Sequence, residues 1–288
     1  VTIDLSPDTN SPFSYAGFGK SSLQISGNGE TDSYDSSLGV YGGGNINTNG
    51  DVGTNGTTNG VISLNGNAQV NGSANTGTGG TVSLTGNAQI NGATTDSCSE
   101  TVDSVSIPSN LSSLASSGNL NSSNTITDGS YKYSAISISG NNGLVIDGDV
   151  TLYVTGNLSI NGNGGISVAA GAKLTLYIDG TCNISGNGVI NNTALPENFI
   201  VYSTNTSSSE GVKITGNGDL YGAIYAPDTE VKISGNGDTY GSLIGDVVTV
   251  TGNGDVHYDE ALQEITTSTT TTYSVQTWRE QDNPYLLN

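Results

Sequence analysis

A short motif that ends a β-strand at a sharp corner occurs ten times in this chain. In each copy an aliphatic residue is followed by Ser, Thr or Asn and then by Gly-Asn. Aliphatic side chains suit a half-buried strand, and glycine and asparagine best adopt the positive φ of a tight bend. Each copy therefore predicts a strand and a corner together. The copies begin at Ile25, Leu64, Leu84, Ile138, Val154, Ile160, Ile184, Ile214, Ile233 and Val250.

Sequential copies are separated by about one coil of a β-solenoid. The spacing is 20 residues from Leu64 to Leu84 and 19 from Ile214 to Ile233. Repeats of roughly 20 residues or more are typical of stacked architectures, which need only a few inward side chains per coil. A content of 42 glycines and 33% hydrophobic residues fits such a small core. We predict an all-β parallel β-solenoid (β-helix) with an irregular N-terminal cap and an extended C-terminal strand tail.

Breaks in the repeat divide the chain into four parts. Residues 1–95 contain the N-terminal cap, expected to cover the open end of the first coil, and a first solenoid block. Residues 96–135 lose the strand alternation and are predicted to bridge the solenoid surface. Residues 136–262 form a second block, and 263–288 a tail. The threonine-rich run at 266–273 favours a strand that pairs with this chain or is donated to a neighbouring copy.

The charge balance excludes one class of partner. There are 26 acidic and six basic residues, a net charge of −20, so the Lys and Arg that neutralise phosphates in nucleic-acid binding are missing. No hydrophobic segment reaches the ~20 residues of a membrane span. Cys98 and Cys182 permit one disulfide in an exported protein, and two separate thiols remain the alternative. We expect a mature or trimmed ectodomain, extracellular and at the cell surface.

Three aspartates follow Gly-Asn-Gly corners in successive repeats: Asp219, Asp238 and Asp255. If the corners stack, the carboxylates lie ~4.8 Å apart from coil to coil. A hard cation such as Ca²⁺, which takes several oxygen ligands, would relieve their repulsion. The sequence thus offers a calcium site at these residues. The alternative is that they point into water and repel only weakly.

The corner asparagines have a structural interpretation. Identical amide side chains that stack in register can form a ladder of hydrogen bonds. We predict this scaffolding role for Asn187, Asn217, Asn236 and Asn253.

Enzyme chemistry is not expected, and no catalytic residue is assigned. His257 is the sole histidine and has no evident nucleophile beside it in sequence. A glycoside hydrolase needs paired carboxylates that act as acid and base. Asp147 and Asp149 come closest, but Gly148 between them is equally typical of an exposed turn. A lyase would need a basic residue near bound metal, and Lys and Arg are scarce.

Longer segments resemble the ectodomains of bacterial pilus-assembly proteins of the PilX class, over roughly residues 13–280. The segments are Asp32-Ser33-Tyr34-Asp35-Ser36-Ser37, Gly50-Asp51-Val52-Gly53-Thr54-Asn55, Tyr221-Gly222-Ala223-Ile224-Tyr225-Ala226-Pro227, Tyr240-Gly241-Ser242-Leu243-Ile244-Gly245, His257-Tyr258-Asp259-Glu260-Ala261-Leu262 and Trp278-Arg279-Glu280. The resemblance implies a pilus-associated or fibre role at the cell surface. It brings no catalytic residues and no cofactor.

Together these observations predict an extracellular structural protein, either a pilus-associated component or a self-assembling fibre subunit. Self-association is expected through coil ends and the C-terminal tail. The alternative is a soluble adhesin or glycan-binding module whose exposed tyrosines stack on sugars. A flat ice- or glycan-binding array is less well supported, because Thr249-Val250-Thr251 is not repeated in the other coils. Most of the tyrosines considered for the adhesin lie within predicted strands, and the alternative is that they pack between coils. They are Tyr131, Tyr133, Tyr153, Tyr177, Tyr202 and Tyr225.

Overall fold

A computed structural model describes residues 2–7, 11–141, 143–186, 188–265 and 273–279. Apart from one helix of a single turn and three short 3₁₀ turns, its regular elements are strands, which confirms the all-β solenoid. The helix is α1 (Ser109–Ser112), and the 3₁₀ turns are Ser36–Leu38, Pro196–Asn198 and Glu260–Glu264. The strands are β1 (Thr2–Pro7), β2 (Gly17–Gly27), β3 (Glu30–Tyr34), β4 (Val52–Thr54), β5 (Ile62–Gly66), β6 (Gln69–Val70), β7 (Ala74–Asn75), β8 (Val82–Gly86), β9 (Gln89–Ile90), β10 (Thr94–Thr95), β11 (Asn119–Leu120), β12 (Asn124–Tyr133), β13 (Ala135–Ile138), β14 (Leu144–Val154), β15 (Leu158–Ile160), β16 (Gly165–Val168), β17 (Lys173–Ile178), β18 (Cys182–Ile184), β19 (Gly188–Asn191), β20 (Phe199–Ser203), β21 (Val212–Gly216), β22 (Leu220–Gly235), β23 (Thr239–Gly252), β24 (Val256–Asp259) and β25 (Tyr273–Arg279).

Strands β2 to β24 pair in parallel and form three columns. We call the column that contains β17 and β20 face A, the column that contains β15 and β18 face B, and the column that contains β16 and β19 face C. Alternation places every second side chain inside, as in β17, where Leu174, Leu176 and Ile178 are fully buried. In each coil the chain runs from face B through a Gly-Asn corner to face C and then to face A. Successive coils illustrate the order: β15, β16 and β17 are followed by β18, β19 and β20.

The coils do not stack in chain order. Leu23 in β2 pairs with Ile62 on one side and with Val248 on the other, so the first coil lies inside the stack. On the Ile62 side of the first coil, the stack continues through coil 62–75 and ends with coil 82–95. On the Val248 side, it continues through β23, β22, β20 and β21, β17 to β19, β14 to β16, and β12 with β13. The last coil of the second block therefore packs against the first coil of the first block, and the two blocks form one stack.

The two blocks meet at a seam where β2 pairs with β23 and β3 pairs with β24. Gly17 pairs with Leu243 of the second block and with Val52 of the first, which continues face A across the seam. The Tyr258 hydroxyl donates to the Phe13 carbonyl at 2.6 Å. Residues 11–16 are irregular, as predicted, but they cover no open end. Ala16 lies between the two blocks, because its amide donates to the Asp51 carbonyl at 2.9 Å and its carbonyl accepts from the Leu243 amide at 3.1 Å, whereas Phe13 packs on the outside of face A.

Residues 96–118 cross the solenoid surface, as the sequence indicates, but the bridge predicted over 96–135 is too long. Strands β11 and β12 pair in parallel with β13 and β14 and belong to the stack, and the register shift between Thr127 and Gly129 interrupts the alternation that would mark β12 as a strand. The crossing segment starts beside coil 62–75, where the Cys98 amide donates to Thr76 at 2.9 Å, and it reaches β12, where Lys132 donates to the Ser112 carbonyl at 2.6 Å. Midway, the Tyr225 hydroxyl donates to the Asp103 carbonyl at 2.6 Å. The bridge thereby returns the chain from one end of the stack to the other.

The two cysteines are separate thiols. Cys182 is fully buried among inward aliphatic side chains of β18, whereas Cys98 lies in the bridge beside a distinct aromatic cluster on the outside of face A. Burial raises the pKa of Cys182 to about 12, and burial also raises that of Cys98. The disulfide allowed by the cysteine count is therefore absent from the fold.

The C-terminal strand β25 pairs antiparallel with β1 of the same chain, from Thr2 opposite Arg279 to Pro7 opposite Tyr273. Most of the threonine-rich run, residues 266–272, lies outside the described residues, as does Glu280. The described part of the chain contains no helix long and apolar enough to cross a membrane.

Candidate functional site

The Gly-Asn corners between faces B and C stack into one column, which confirms the amide ladder. Each asparagine donates its side-chain N–H to the next, across the seam and through both blocks, at 2.6–3.1 Å. The order is Asn87, Asn67, Asn28, Asn253, Asn236 and Asn217. These side chains are solvent-exposed. Asn187 falls outside the described residues.

The corner aspartates form a second column directly beside the first. The Asp238 amide donates to Asp219 Oδ1 at 3.1 Å, the Asp255 amide to Asp238 Oδ1 at 2.9 Å, and the Glu30 amide to Asp255 Oδ1 at 2.7 Å. One oxygen of each aspartate therefore holds the backbone of the next coil. This column too crosses the seam, ending at Glu30 of the first block.

Two residues after each corner acid along face C, a third column contains two tyrosines, a histidine and an aspartate. Strand register aligns Tyr221 with Tyr240, Tyr240 with His257, and His257 with Asp32. The two tyrosine rings stack at a centroid distance of 4.3 Å and an interplanar angle of 5°. The His257 ring follows at 4.7 Å from Tyr240. The column thus passes from aromatic to imidazole to carboxylate at the seam.

The loop between β3 and β4, residues 35–51, covers this histidine. Tyr41 packs its ring 3.9 Å from the His257 ring, and its hydroxyl donates to Asp32 Oδ2 at 2.5 Å. The loop is held in place by Glu260, which accepts hydrogen bonds from Ser33 and Asn49 at 2.8 and 3.0 Å. The loop therefore fixes both Tyr41 and the carboxylate that faces His257.

His257 is buried among acids. Its Nδ1 donates to Asp32 Oδ1 at 2.5 Å, and its Nε2 lies 3.9 Å from Asp238 Oδ2. Burial alone would lower the pKa of His257, but the hydrogen bond to Asp32 and the charges of Asp32, Asp238 and Asp255 outweigh burial and raise it. Burial and the neighbouring charges of Asp238 and Glu30 raise the pKa of Asp255.

The three aspartates that the sequence assigned to calcium stack in one column, one per coil, as predicted, but the close group of possible metal ligands contains only two of them. Asp238 and Asp255 each place a carboxylate oxygen with a His257 nitrogen so that all three atoms lie within 4.8 Å of one another. Asp219 lies one coil further and outside this group. In this group a His257 nitrogen stands in the place of the third carboxylate.

The partners of His257 that sequence reasoning missed are Asp32 and Tyr41. They belong to the first block, about 220 residues from His257 along the chain. No local spacing connects these positions, because the non-sequential stacking of the two blocks brings them together. A sequence signal was nevertheless present: the segments at 32–37 and 257–262 were both singled out by the family resemblance.

A buried acid lies next to this group. Asp259 Oδ1 accepts from the Ser36 and Ala261 amides at 2.9 and 3.2 Å, whereas Asp259 Oδ2 and the buried Tyr34 hydroxyl have no hydrogen-bond partner among the described residues. Burial raises the pKa values of both side chains. Tyr34 and Asp259 are register partners on face C, and both side chains are fully buried.

The tyrosines considered for sugar stacking are largely covered, which agrees with the alternative that they pack between coils and not with their use as exposed groups. Tyr177 and Tyr202 stack on face A at 5.1 Å, and Tyr225 follows at 6.2 Å from Tyr202. The bridge and the N-terminal segment pack over them in one aromatic cluster. Those below one-tenth exposure are Tyr133, Tyr153, Tyr202 and Tyr225.

Asp147 and Asp149, weighed for hydrolysis, are both exposed at an irregular point of β14. Gly148 between them has φ 145°, and register slips where β12 pairs with this stretch. The Asp149 amide donates to Asp128 Oδ1 at 2.6 Å. The turn-like interpretation of Gly148 fits this geometry.

The fold and its columns define a parallel β-solenoid with a buried, acid-lined histidine at an internal seam. Residues 86–265 match the model of a domain family of unknown function, DUF7305, and the chain belongs to that family. The match includes the corner aspartates and His257 but not Asp32 or Tyr41. No curated protein and no solved structure matches the chain.

Proposed function

We propose that this protein is an extracellular structural component, pilus-associated or the subunit of a surface fibre, which assembles through one end of its solenoid. The support is the continuous stack, in which hydrogen-bonded columns run through both blocks, together with the resemblance to pilus-assembly ectodomains. Such a stack is a stiff rod whose two ends differ. The decisive observation is the state of the end formed by residues 82–95.

The end coil 82–95 is uncovered among the described residues. Its strands β8, β9 and β10 pair with β5, β6 and β7 on one side only. Leu84 occupies the inward column of Leu64, yet it is 49% exposed where Leu64 is fully buried. An uncovered strand edge with an apolar interior is a template for pairing.

The opposite end is covered by the bridge. Helix α1 places Leu111 at 1% exposure, and β11 pairs with β13. Ile126 and Tyr133 of the last full coil are buried. Because the bridge covers this end, it offers no uncovered coil to which the open end of another copy could pair head to tail.

The occupant of the open end is a second copy of this chain. Residues 81–95 contain no charged side chain, although the whole chain carries −20. Two copies can meet there without the repulsion that their other surfaces would generate. Edge-protecting lysine and proline are also absent from this coil. The contact joins like surfaces, so it is a two-fold contact that closes into a pair.

Growth beyond a pair needs a second contact, and we assign it to β25. This strand pairs with β1 at the edge of a two-stranded sheet and is connected to the solenoid through residues 266–272. Exchange of β25 between copies gives the same pairing between chains. The two contacts together build an open fibre from closed pairs.

The end contact is tested with Leu84→Lys and with a matched control, Leu38→Lys. Leu38 is 77% exposed in the loop that follows β3, away from the open end. Sedimentation and electron microscopy of the full chain should show end-joined rods for the unmodified protein and for Leu38→Lys, and single rods for Leu84→Lys. Equal behaviour of the two variants would remove the open end as the connector. Unchanged fibres after deletion of 265–288 would remove β25.

A further inference from the structure

The geometry at the seam points to a metal site of the zinc class: we propose that Asp238, Asp255 and His257 bind one divalent transition-metal ion. The site lies at the internal seam, separated from the open end by the first coil and by coil 62–75, and does not depend on the proposed assembly contacts. It differs from the calcium ladder in its ligands, because it takes an imidazole nitrogen and excludes Asp219.

The first observation is the orientation of His257. The side chain is only 4% exposed, and Asp32 fixes its Nδ1 at 2.5 Å. Its Nε2 has no hydrogen bond to any described residue and faces Asp238 Oδ2 at 3.9 Å. A carboxylate that holds one imidazole nitrogen and aims the other at a metal is the usual outer-shell arrangement of histidine ligands.

The second observation is the orientation of the two carboxylates. Each uses Oδ1 to accept a backbone amide of the next coil: Asp238 from Asp255, and Asp255 from Glu30. Oδ2 of each accepts no hydrogen bond from the described residues. The backbone ladder therefore holds both carboxylates in place while one oxygen of each stays open to a ligand.

The donor set selects the class of metal. Calcium takes six to eight oxygen ligands, whereas imidazole nitrogen suits zinc and its transition-metal neighbours. Three protein ligands with one position left for water is a familiar zinc arrangement. Tetrahedral zinc with bonds of about 2.0–2.1 Å separates its ligand atoms by about 3.3 Å. The present separations are within 4.8 Å, so the three ligand atoms must approach one another by up to about 1.5 Å when the ion binds.

The surroundings give the ion a wall and an entry path. The rings of Tyr41 and Tyr240 pack against the His257 ring, at 3.9 and 4.7 Å. The Asp238 side chain is 33% exposed and opens the group to solvent. Since Asp32 comes from the first block and the three ligands from the second, an occupied site would stabilise the seam.

The sole histidine of the chain makes the test direct. Full-length protein with ¹⁵N-labelled histidine is titrated with Zn²⁺ and, separately, with Ca²⁺. We expect one equivalent of Zn²⁺ to move the Nε2 resonance to a metal-bound position and Ca²⁺ in excess to leave it unchanged. A histidine signal that Zn²⁺ does not alter, or that Ca²⁺ alters equally, overturns the proposal and leaves a histidine neutralised by acids.

Two asparagine variants separate a built site from general attraction by the net charge. Asp238→Asn and Asp219→Asn remove the same charge from the same column, and each keeps a carbonyl for the hydrogen bond from the next coil. Calorimetry with Zn²⁺ should show a loss of more than about 10-fold in affinity for Asp238→Asn and no loss for Asp219→Asn. Equal losses would contradict the site.

Asp32→Asn tests the positioning residue. It contacts His257 and not the metal, so we expect the about 10–100-fold loss in affinity typical of an outer-shell partner, with the Nε2 shift still present at saturating Zn²⁺. Unchanged affinity would overturn the role of Asp32. Loss of the Nε2 shift at saturation would overturn the ligand assignment to His257.

Discussion

Coils 61–75 and 81–95 are near copies in sequence and differ sharply in their surroundings. Leu64 and Leu84 occupy the same column, as do Val70 and Ile90. Leu64 and Val70 are fully buried because the first coil covers them, whereas Leu84 is half exposed at the open end. In a solenoid the neighbour in the stack, and not the residue itself, decides whether an inward side chain is in the core.

The largest effect should come from a substitution that forces apart the seam between the first coil and the second block. Gly27 has φ 116°, and a Cβ there would lie 1.9 Å from the Gly252 carbonyl oxygen; Gly39 has φ 126° and open space around it. Gly39→Ala should cost only backbone strain, about 1–3 kcal/mol. Gly27→Ala should cost more than about 4 kcal/mol. Urea unfolding measures both, and similar losses would show that the seam backbone adjusts.

The leucine pair tests the comparison itself. Leu64→Ala removes a fully buried side chain and should lower the free energy of unfolding by about 2–5 kcal/mol. Leu84→Ala should cost less than about 1 kcal/mol in dilute protein, since half of the side chain is already in water.

The concentration dependence sharpens that test. If two copies cover the open end, the cost of Leu84→Ala should grow with protein concentration while that of Leu64→Ala stays constant. Denaturation at two concentrations supplies the measurement. A constant small cost for Leu84→Ala would speak against the paired end.

A smaller difference is expected within the asparagine ladder. Asn253 donates to Asn236 at 2.8 Å and accepts from Asn28 at 2.6 Å, whereas Asn87 at the open end only donates, to Asn67 at 2.9 Å. These amides are exposed, so Asn253→Ala should cost about 1 kcal/mol and Asn87→Ala about half of that. Thermal unfolding compares the two variants. Equal costs would mean that the number of ladder hydrogen bonds lost does not set the loss of stability.

The two thiols report on the blocks with no mutation. Cys98 is half-buried beside coil 62–75, and Cys182 is fully buried in the second block with a pKa raised to about 12. In native protein at neutral pH, a thiol reagent should label Cys98 slowly and Cys182 only through unfolding, since the thiolate is the reactive form. Mass spectrometry of the labelled positions checks the order. Faster labelling of Cys182 would contradict the stacking of the second block.

The repeat units were predictable because each carries its own chemistry. Strand ends such as Ile233-Ser234-Gly235-Asn236 contain both the inward aliphatic residue and the corner, and equal spacing puts like residues in register. The amide ladder through Asn217, Asn236 and Asn253 follows directly. The start of the bridge was also visible, because strand alternation stops after 95, but its end was placed too late, since β12 already pairs with β14 from Asn124 onward.

The candidate site was only half visible. Asp238 and Asp255 share a repeat with one another, so their stacking could be read from spacing alone. His257 belongs to a single coil, and its partners Asp32 and Tyr41 come from the block at the other end of the chain. The packing of the tyrosines between coils follows from their strand positions, but the bridge that covers those on face A has no repeat to reveal where it lies.

By itself the sequence determined the coil: its length, its inward residues and its glycine-asparagine corner, since these depend on contacts between residues close along the chain or one repeat apart. Only the tertiary structure decided the order of the coils, because the ends of parallel coils are interchangeable templates whose backbone groups pair with any neighbour in register. That order places the seam, buries His257 against Asp32 and leaves residues 82–95 as the open end.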